Sequence, residues 1–112
     1  MYTRPARFTI PVGLRLFPLR VAPSSAGHRV TVTVRWRTNA PRVRVDAAAY
    51  LGGKRVWWGR STYKFPPVNQ VQATRWTWTP PRGVDSGAKL KLEARVTAGR
   101  LRFERSRAFV SP

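Results

Sequence analysis

Arg29-Val30-Thr31-Val32-Thr33-Val34-Arg35-Trp36-Arg37 is the stretch that decides the fold. Its large apolar side chains, Val30, Val32, Val34 and Trp36, fall at every second position, and polar residues fill the gaps. Neighbours in a strand point to opposite faces, whereas apolar positions on a helix recur every three or four residues. Valine and threonine, both β-branched, favour the extended backbone on either face. The segment therefore reads as a strand with one side in a core and an arginine-edged side in water.

The same period extends in both directions. Upstream, Phe8, Ile10, Val12, Leu14 and Leu16 alternate with Thr9, Pro11, Gly13 and Arg15. Pro11 has no N–H for a ladder, which predicts an edge strand or a bulge. The parity shifts near Phe17-Pro18, Leu19 and Val21 follow, and Pro23-Ser24-Ser25-Ala26-Gly27 has turn composition. Downstream, Asn39-Ala40-Pro41 turns the chain, and Val43, Val45, Ala47 and Ala49 alternate with Arg42, Arg44, Asp46 and Ala48. Gly52-Gly53 is a hairpin signal between Tyr50-Leu51 and Arg55-Val56-Trp57-Trp58. A short strand is expected at Tyr63 and Phe65, stopped by Pro66-Pro67. Trp76 and Trp78 alternate with Arg75 and Thr77, and Leu90, Leu92, Ala94 and Val96 with Lys89, Lys91, Glu93 and Arg95. After Ala98-Gly99, Leu101 and Phe103 alternate with Arg100, Arg102 and Glu104. No segment of ten residues or more has helical spacing. The expectation is one all-β domain over residues 1–112, an antiparallel sandwich of seven to eight strands, with residues 1–7 as an extended N-terminal arm.

From Val30 to Phe109 a family pattern is visible. A Trp-bearing strand, Val30 to Trp36, is followed by one ending in Tyr50. Then come Trp76-Thr77-Trp78-Thr79-Pro80, Gly87-Ala88-Lys89-Leu90-Lys91-Leu92-Glu93-Ala94-Arg95-Val96, and Ser106-Arg107-Ala108-Phe109-Val110. This resembles bacterial and fungal immunoglobulin-like or fibronectin type III-like domains over about two thirds of the chain, by pattern rather than identity. The resemblance implies an immunoglobulin-like β-sandwich and transfers no binding residue. The chain departs from antibody domains in having no cysteine, and from the family pattern in carrying Leu90 and Leu92 where an aromatic usually stands.

Charge carries the strongest statement about partners. The chain has 22 Lys+Arg against 4 Asp+Glu, a formal charge of +18, and 18 of the 22 are arginine. Such a charge points to an anionic partner: an acidic protein surface, nucleic acid, an acidic polysaccharide or anionic lipid. A GC-rich coding sequence would also supply arginine, but arginine forks carboxylates and phosphates as lysine does not. Arg4, Pro5, Arg7, Pro11 and Gly13 break any apolar run near Met1, so neither a signal peptide nor a membrane span is expected.

Catalytic and metal chemistry find no foothold in the pattern, so no catalytic residue, metal ligand or cofactor is expected. His28, the one histidine, stands beside a turn. Asp46, Glu93 and Glu104 sit in strands among arginine and lysine, which predicts ion pairs rather than acids held protonated. Asp85 lies in Gly83-Val84-Asp85-Ser86-Gly87, a turn composition, and no serine has a nucleophile-elbow setting.

Two groups of binding residues are expected instead. In immunoglobulin topology the third, sixth and seventh strands share a sheet. Its outward face would carry Arg42, Arg44, Lys89, Lys91, Arg95, Arg100 and Arg102 against Asp46, Glu93 and Glu104. A solvated coat of cross-strand ion pairs, each worth about 0.2–1 kcal/mol, competes with a binding face as the reading. Arg29, Arg35 and Arg37 would lie opposite Val30 to Trp36. Trp57 and Trp58 are neighbours, so both cannot enter the core; one is a cap or an aromatic contact residue. The expected function is a non-enzymatic structural or binding module that docks on an acidic protein surface such as a capsid or tail protein, by analogy with small all-β domains that decorate tailed-phage virions. The expected location is the virion, with the cytoplasm as the alternative. The competing reading is a sequence-independent polyanion binder for nucleic acid or acidic polysaccharide. Self-association is a further option, and membrane insertion is not expected.

Overall fold

The computed structural model describes residues 12–24 and 26–112. The expected strand positions Phe8 and Ile10 and the N-terminal arm lie outside the described residues. Eight strands are found among those described: β1 (Leu14–Leu16), β2 (Arg20–Ser24), β3 (Arg29–Thr38), β4 (Arg42–Leu51), β5 (Lys54–Lys64), β6 (Gln72–Trp78), β7 (Lys89–Ala98) and β8 (Leu101–Val110). All pairings are antiparallel, no helix occurs among these residues, and none is therefore long and apolar enough to cross a membrane.

β3 is the centre of the first sheet. β6 pairs along one edge, from Val30↔Trp78 to Trp36↔Gln72. β1 and β2 pair in succession along the other, Leu16 opposite Trp36 and Arg20 opposite Thr33. Four steps on the edge thus match three on β3, a one-residue irregularity at Phe17-Pro18-Leu19 where Pro18 has no N–H to give. The second sheet runs β5-β4-β7-β8.

The apolar faces of the two sheets share one core, in a sandwich-like arrangement. Val30, Val32, Val34 and Trp36 of β3 are fully buried, as are Val45 and Ala49 of β4 and Leu92 and Val96 of β7. The alternation that picked these residues out by sequence is the alternation of burial along the strands.

Two local expectations change. Pro23 and Ser24 belong to β2, opposite Val30 and Arg29, so the reversal is confined to a shorter turn in which Gly27 and His28 have φ of 87° and 48°. An edge position tolerates Pro23 without a lost ladder bond. Tyr63 does not lie in a separate short strand: β5 runs unbroken for 11 residues from the Gly52-Gly53 turn. Phe65 lies beyond its end, with φ at 51°. The register with β4 slips near the turn, where Ala49 faces Trp57 and Tyr50 faces Arg55, leaving Val56 as the extra residue.

Gly59 shows why β5 can follow this path. It is opposite Ala47, and a Cβ on it would lie 2.9 Å from Nε1 of Trp76 and 3.0 Å from the Trp57 ring. Both atoms belong to broad, packed indoles, so neither yields cheaply. Gly59→Ala is expected to lower stability by about 1–3 kcal/mol, the usual cost of overpacking. Urea denaturation checks this; an unchanged midpoint would mean the indoles have room to shift.

Candidate functional site

The outward face of the second sheet is built by cross-strand register. One row is Thr62, Arg44, Thr97 and Arg102; the next is Arg60, Asp46, Arg95 and Glu104. Below these run Trp58, Ala48, Glu93 and Ser106, then Arg55, Tyr50, Lys91 and Ala108. Arg42 and Lys64 face each other at one end, and Lys89 stands at the other opposite Val110. Period-two side chains from four strands thus put nine basic and three acidic residues on one surface.

The acids organise the middle of this face. Asp46 takes the Arg44 Nε at 3.1 Å on one oxygen and Arg60 on the other. Glu104 pairs with Arg95 at 2.8 Å and more loosely with Arg102 at 3.9 Å, and Glu93 with Lys91 at 3.2 Å. Exposed pairs of this kind contribute at most about 1 kcal/mol each, but they hold the guanidinium planes in place. Among the described residues Arg42, Arg55, Lys64 and Lys89 form no ion pair with these acids.

The aromatic pair divides as strand geometry requires. Trp58 points outward and is 56% exposed, with the Arg55 guanidinium 5.6 Å from its ring centroid. Ala48, opposite it, makes the floor of a shallow depression walled by Trp58, Tyr50, Arg55, Glu93 and Arg95. Trp57 points inward. It stacks on Trp78 at 5.2 Å and 4°, and meets Trp76 edge-on at 5.8 Å. Trp57 is therefore a wall of the core, not a surface contact.

Of the expected basic face, Arg42, Arg44, Lys89, Lys91, Arg95 and Arg102 share this surface, whereas Arg100 sits in the β7–β8 turn. Sequence reading missed Arg55, Arg60 and Lys64. Their alternation with Trp58 and Thr62 was the available signal, hidden because the run from Lys54 to Lys64 reads as two separate pieces.

The first sheet carries a second basic face. Arg29, Arg35 and Arg37 of β3 alternate outward as expected, and the register adds Arg15 opposite Arg37, and Arg20 and Arg75 on either side of Thr33. No acidic residue stands among the described outward positions of this sheet. Arg15 and Arg35 both lie over the Phe17 ring, at 4.9 and 5.6 Å. Hydroxyls line the centre: those of Thr31 and Thr77 are 3.1 Å apart, and Arg75 donates to Thr33 at 3.4 Å.

Two further arginines have structural duties. Arg105 and Arg107 occupy inward positions of β8 and donate to the carbonyls of Leu16 and Leu19 at 2.9 and 2.7 Å. They tie the edge of one sheet to the irregular edge of the other. His28 sits in its turn with Nδ1 3.2 Å from the Pro112 carbonyl. No group of three metal-ligating side chains occurs among the described residues. Comparison of the chain with models of known families and with curated proteins gave no match.

Proposed function

We propose that the chain is a non-enzymatic docking module of immunoglobulin-like architecture. It engages an acidic protein surface, of the kind a capsid or tail assembly presents, through the outward face of the β5-β4-β7-β8 sheet. The architecture is supported by the strand order: three strand positions, β1/β2-β3-β6, oppose four, β5-β4-β7-β8, as in fibronectin type III-like domains. The observation that carries the binding reading is the exposed Trp58 beside Arg55 and Tyr50 on a face whose central arginines are held by Asp46 and Glu104. Trp, Tyr and Arg dominate interface hot spots, and Arg42, Arg55, Lys64 and Lys89, which among the described residues form no ion pair with this face's acids, suit the carboxylates of a partner.

The test uses an immobilised glutamate-rich polypeptide as the acidic surface. Arg55→Ala combined with Trp58→Ala is expected to weaken binding about tenfold or more, while Arg29→Ala, an arginine from the other sheet, leaves it nearly unchanged. Equal losses would remove the assignment to this face. The second reading, a polyanion binder, is favoured by the acid-free arginine face of the β1/β2-β3-β6 sheet. Its guanidiniums and threonine hydroxyls suit phosphate or sulfate oxygens without regard to sequence.

A further inference from the structure

The loop between β5 and β6 presents Phe65, Val68 and Val71 to solvent at 81%, 63% and 52% exposure. Phe65 is unfavourable in two ways at once. Its ring is the most exposed of the large hydrophobics described, and its φ of 51° is left-handed, which a bulky side chain rarely adopts. It also precedes Pro66, a position that normally takes extended backbone. Among the described residues no aromatic ring packs on Phe65, and its high exposure leaves little of the ring covered by the molecule. The backbone is nonetheless braced. Phe65 N–H donates to the Pro41 carbonyl at 2.7 Å, and Asn69 N–H to the Thr38 carbonyl at 3.0 Å. A backbone held firmly in a costly conformation that leaves an apolar ring in water points to a partner.

The chemistry around the tip identifies that partner. Arg42 and Lys64 face each other in register at its base, both exposed. The β7–β8 turn with Arg100 is at the same pole, since Thr97 pairs with Arg44 near that end. Residues 39–41, 65–71 and 99–100, the described connections there, contain no acid. An apolar tip on a wholly cationic base matches a negatively charged, deformable apolar boundary. We infer that this pole inserts Phe65, Val68 and Val71 into the interface of an anionic bilayer, with Arg42 and Lys64 on its headgroups. A protein socket fits less well: a stable interface takes about 800 Å² from each partner, beyond the reach of one short loop. A bilayer requires no matching shape, and apolar insertion adds to headgroup attraction. The contact is interfacial, not a membrane span, and it shares with the β5-β4-β7-β8 face only Arg42 and Lys64 at that face's end.

The test is co-sedimentation with vesicles of phosphatidylcholine alone and of phosphatidylcholine mixed with phosphatidylglycerol. The intact protein is expected to bind only the mixed vesicles appreciably. Phe65→Gly should weaken that binding about tenfold, while the thermal midpoint stays level or rises, because glycine adopts positive φ without penalty. A merely structural Phe65 would give the opposite pattern. Arg42→Gln with Lys64→Gln should weaken binding about twentyfold. Lys54→Gln with Arg82→Gln, an equal charge loss at the opposite pole and outside both basic faces, should change it less than about twofold. The inference is overturned if the intact protein ignores the mixed vesicles, which would turn attention to a protein partner. It is also overturned if Phe65→Gly binds like the parent, or if the control pair loses as much as Arg42 and Lys64, since net charge alone would then account for binding.

Discussion

Truncating Trp36 to alanine is expected to destabilise the domain by about 3–5 kcal/mol, the largest stability effect of any single side chain here. Trp36 is fully buried. Its indole lies 5.1 Å from the Tyr63 ring, and its Nε1–H donates to Thr74 Oγ1 at 3.0 Å. Tyr63 Oη is 2.7 Å from the same Thr74 oxygen. One threonine therefore joins β3, β5 and β6, linking the two sheets along their β5 and β6 edges. Trp36→Ala would leave a large cavity and remove a partner from a buried hydroxyl. Trp36→Phe separates the two contributions, because it keeps most of the ring and loses the hydrogen bond; about 1–2 kcal/mol is expected for that part. Urea denaturation with an unchanged slope is the measurement. A loss below about 1 kcal/mol for Trp36→Ala would mean that the junction collapses onto the gap.

The reach of sequence reading follows from which physics acts locally. Burial on β3, β4 and β7 was legible because a strand with one buried face writes its period into the chain, as Val30 to Trp36 and Leu90 to Val96 do. The opposite orientations of Trp57 and Trp58 were legible for the same reason. Pairing was not. That Arg15 and Arg20 join Arg35 and Arg75 on one face depends on register between strands far apart in sequence. Arg105 and Arg107 break the apolar pattern of β8 because they reach carbonyls at the irregular β1–β2 edge, a requirement that exists only once the two sheets meet. Phe65 is expected in a short strand with Tyr63, and it lies instead beyond the end of β5. Its positive φ goes with the anchoring of its N–H to Pro41, a contact distant in sequence that local alternation cannot express.

The largest binding effect should separate the two basic faces. Removing four charges from the first sheet, by Arg15→Gln, Arg20→Gln, Arg29→Gln and Arg75→Gln, leaves the same net charge as Arg55→Gln, Lys89→Gln, Lys91→Gln and Arg102→Gln on the second. Bulk attraction is therefore matched, and only geometry differs. The first face has no carboxylate to compete with a phosphate, whereas Lys91 and Arg102 of the second already face Glu93 and Glu104. Every phosphate left without its cation lowers the salt slope of duplex binding by about 0.9, so the first set should reduce it by about 3.6. Extrapolated to physiological salt, that is a fall of about a thousandfold in affinity. The second set should weaken DNA binding only about tenfold, through the long-range field, yet it should abolish most binding to the glutamate-rich polypeptide, which the first set should weaken no more than about tenfold for the same reason. The side chains are outward, so neither set should shift stability by more than about 0.5 kcal/mol per site. Titration of duplex DNA and of the polypeptide at several salt concentrations reads both outcomes. If the second set governs DNA as strongly as the first, the two faces are not specialised, and polyanion binding becomes the better account of the whole molecule.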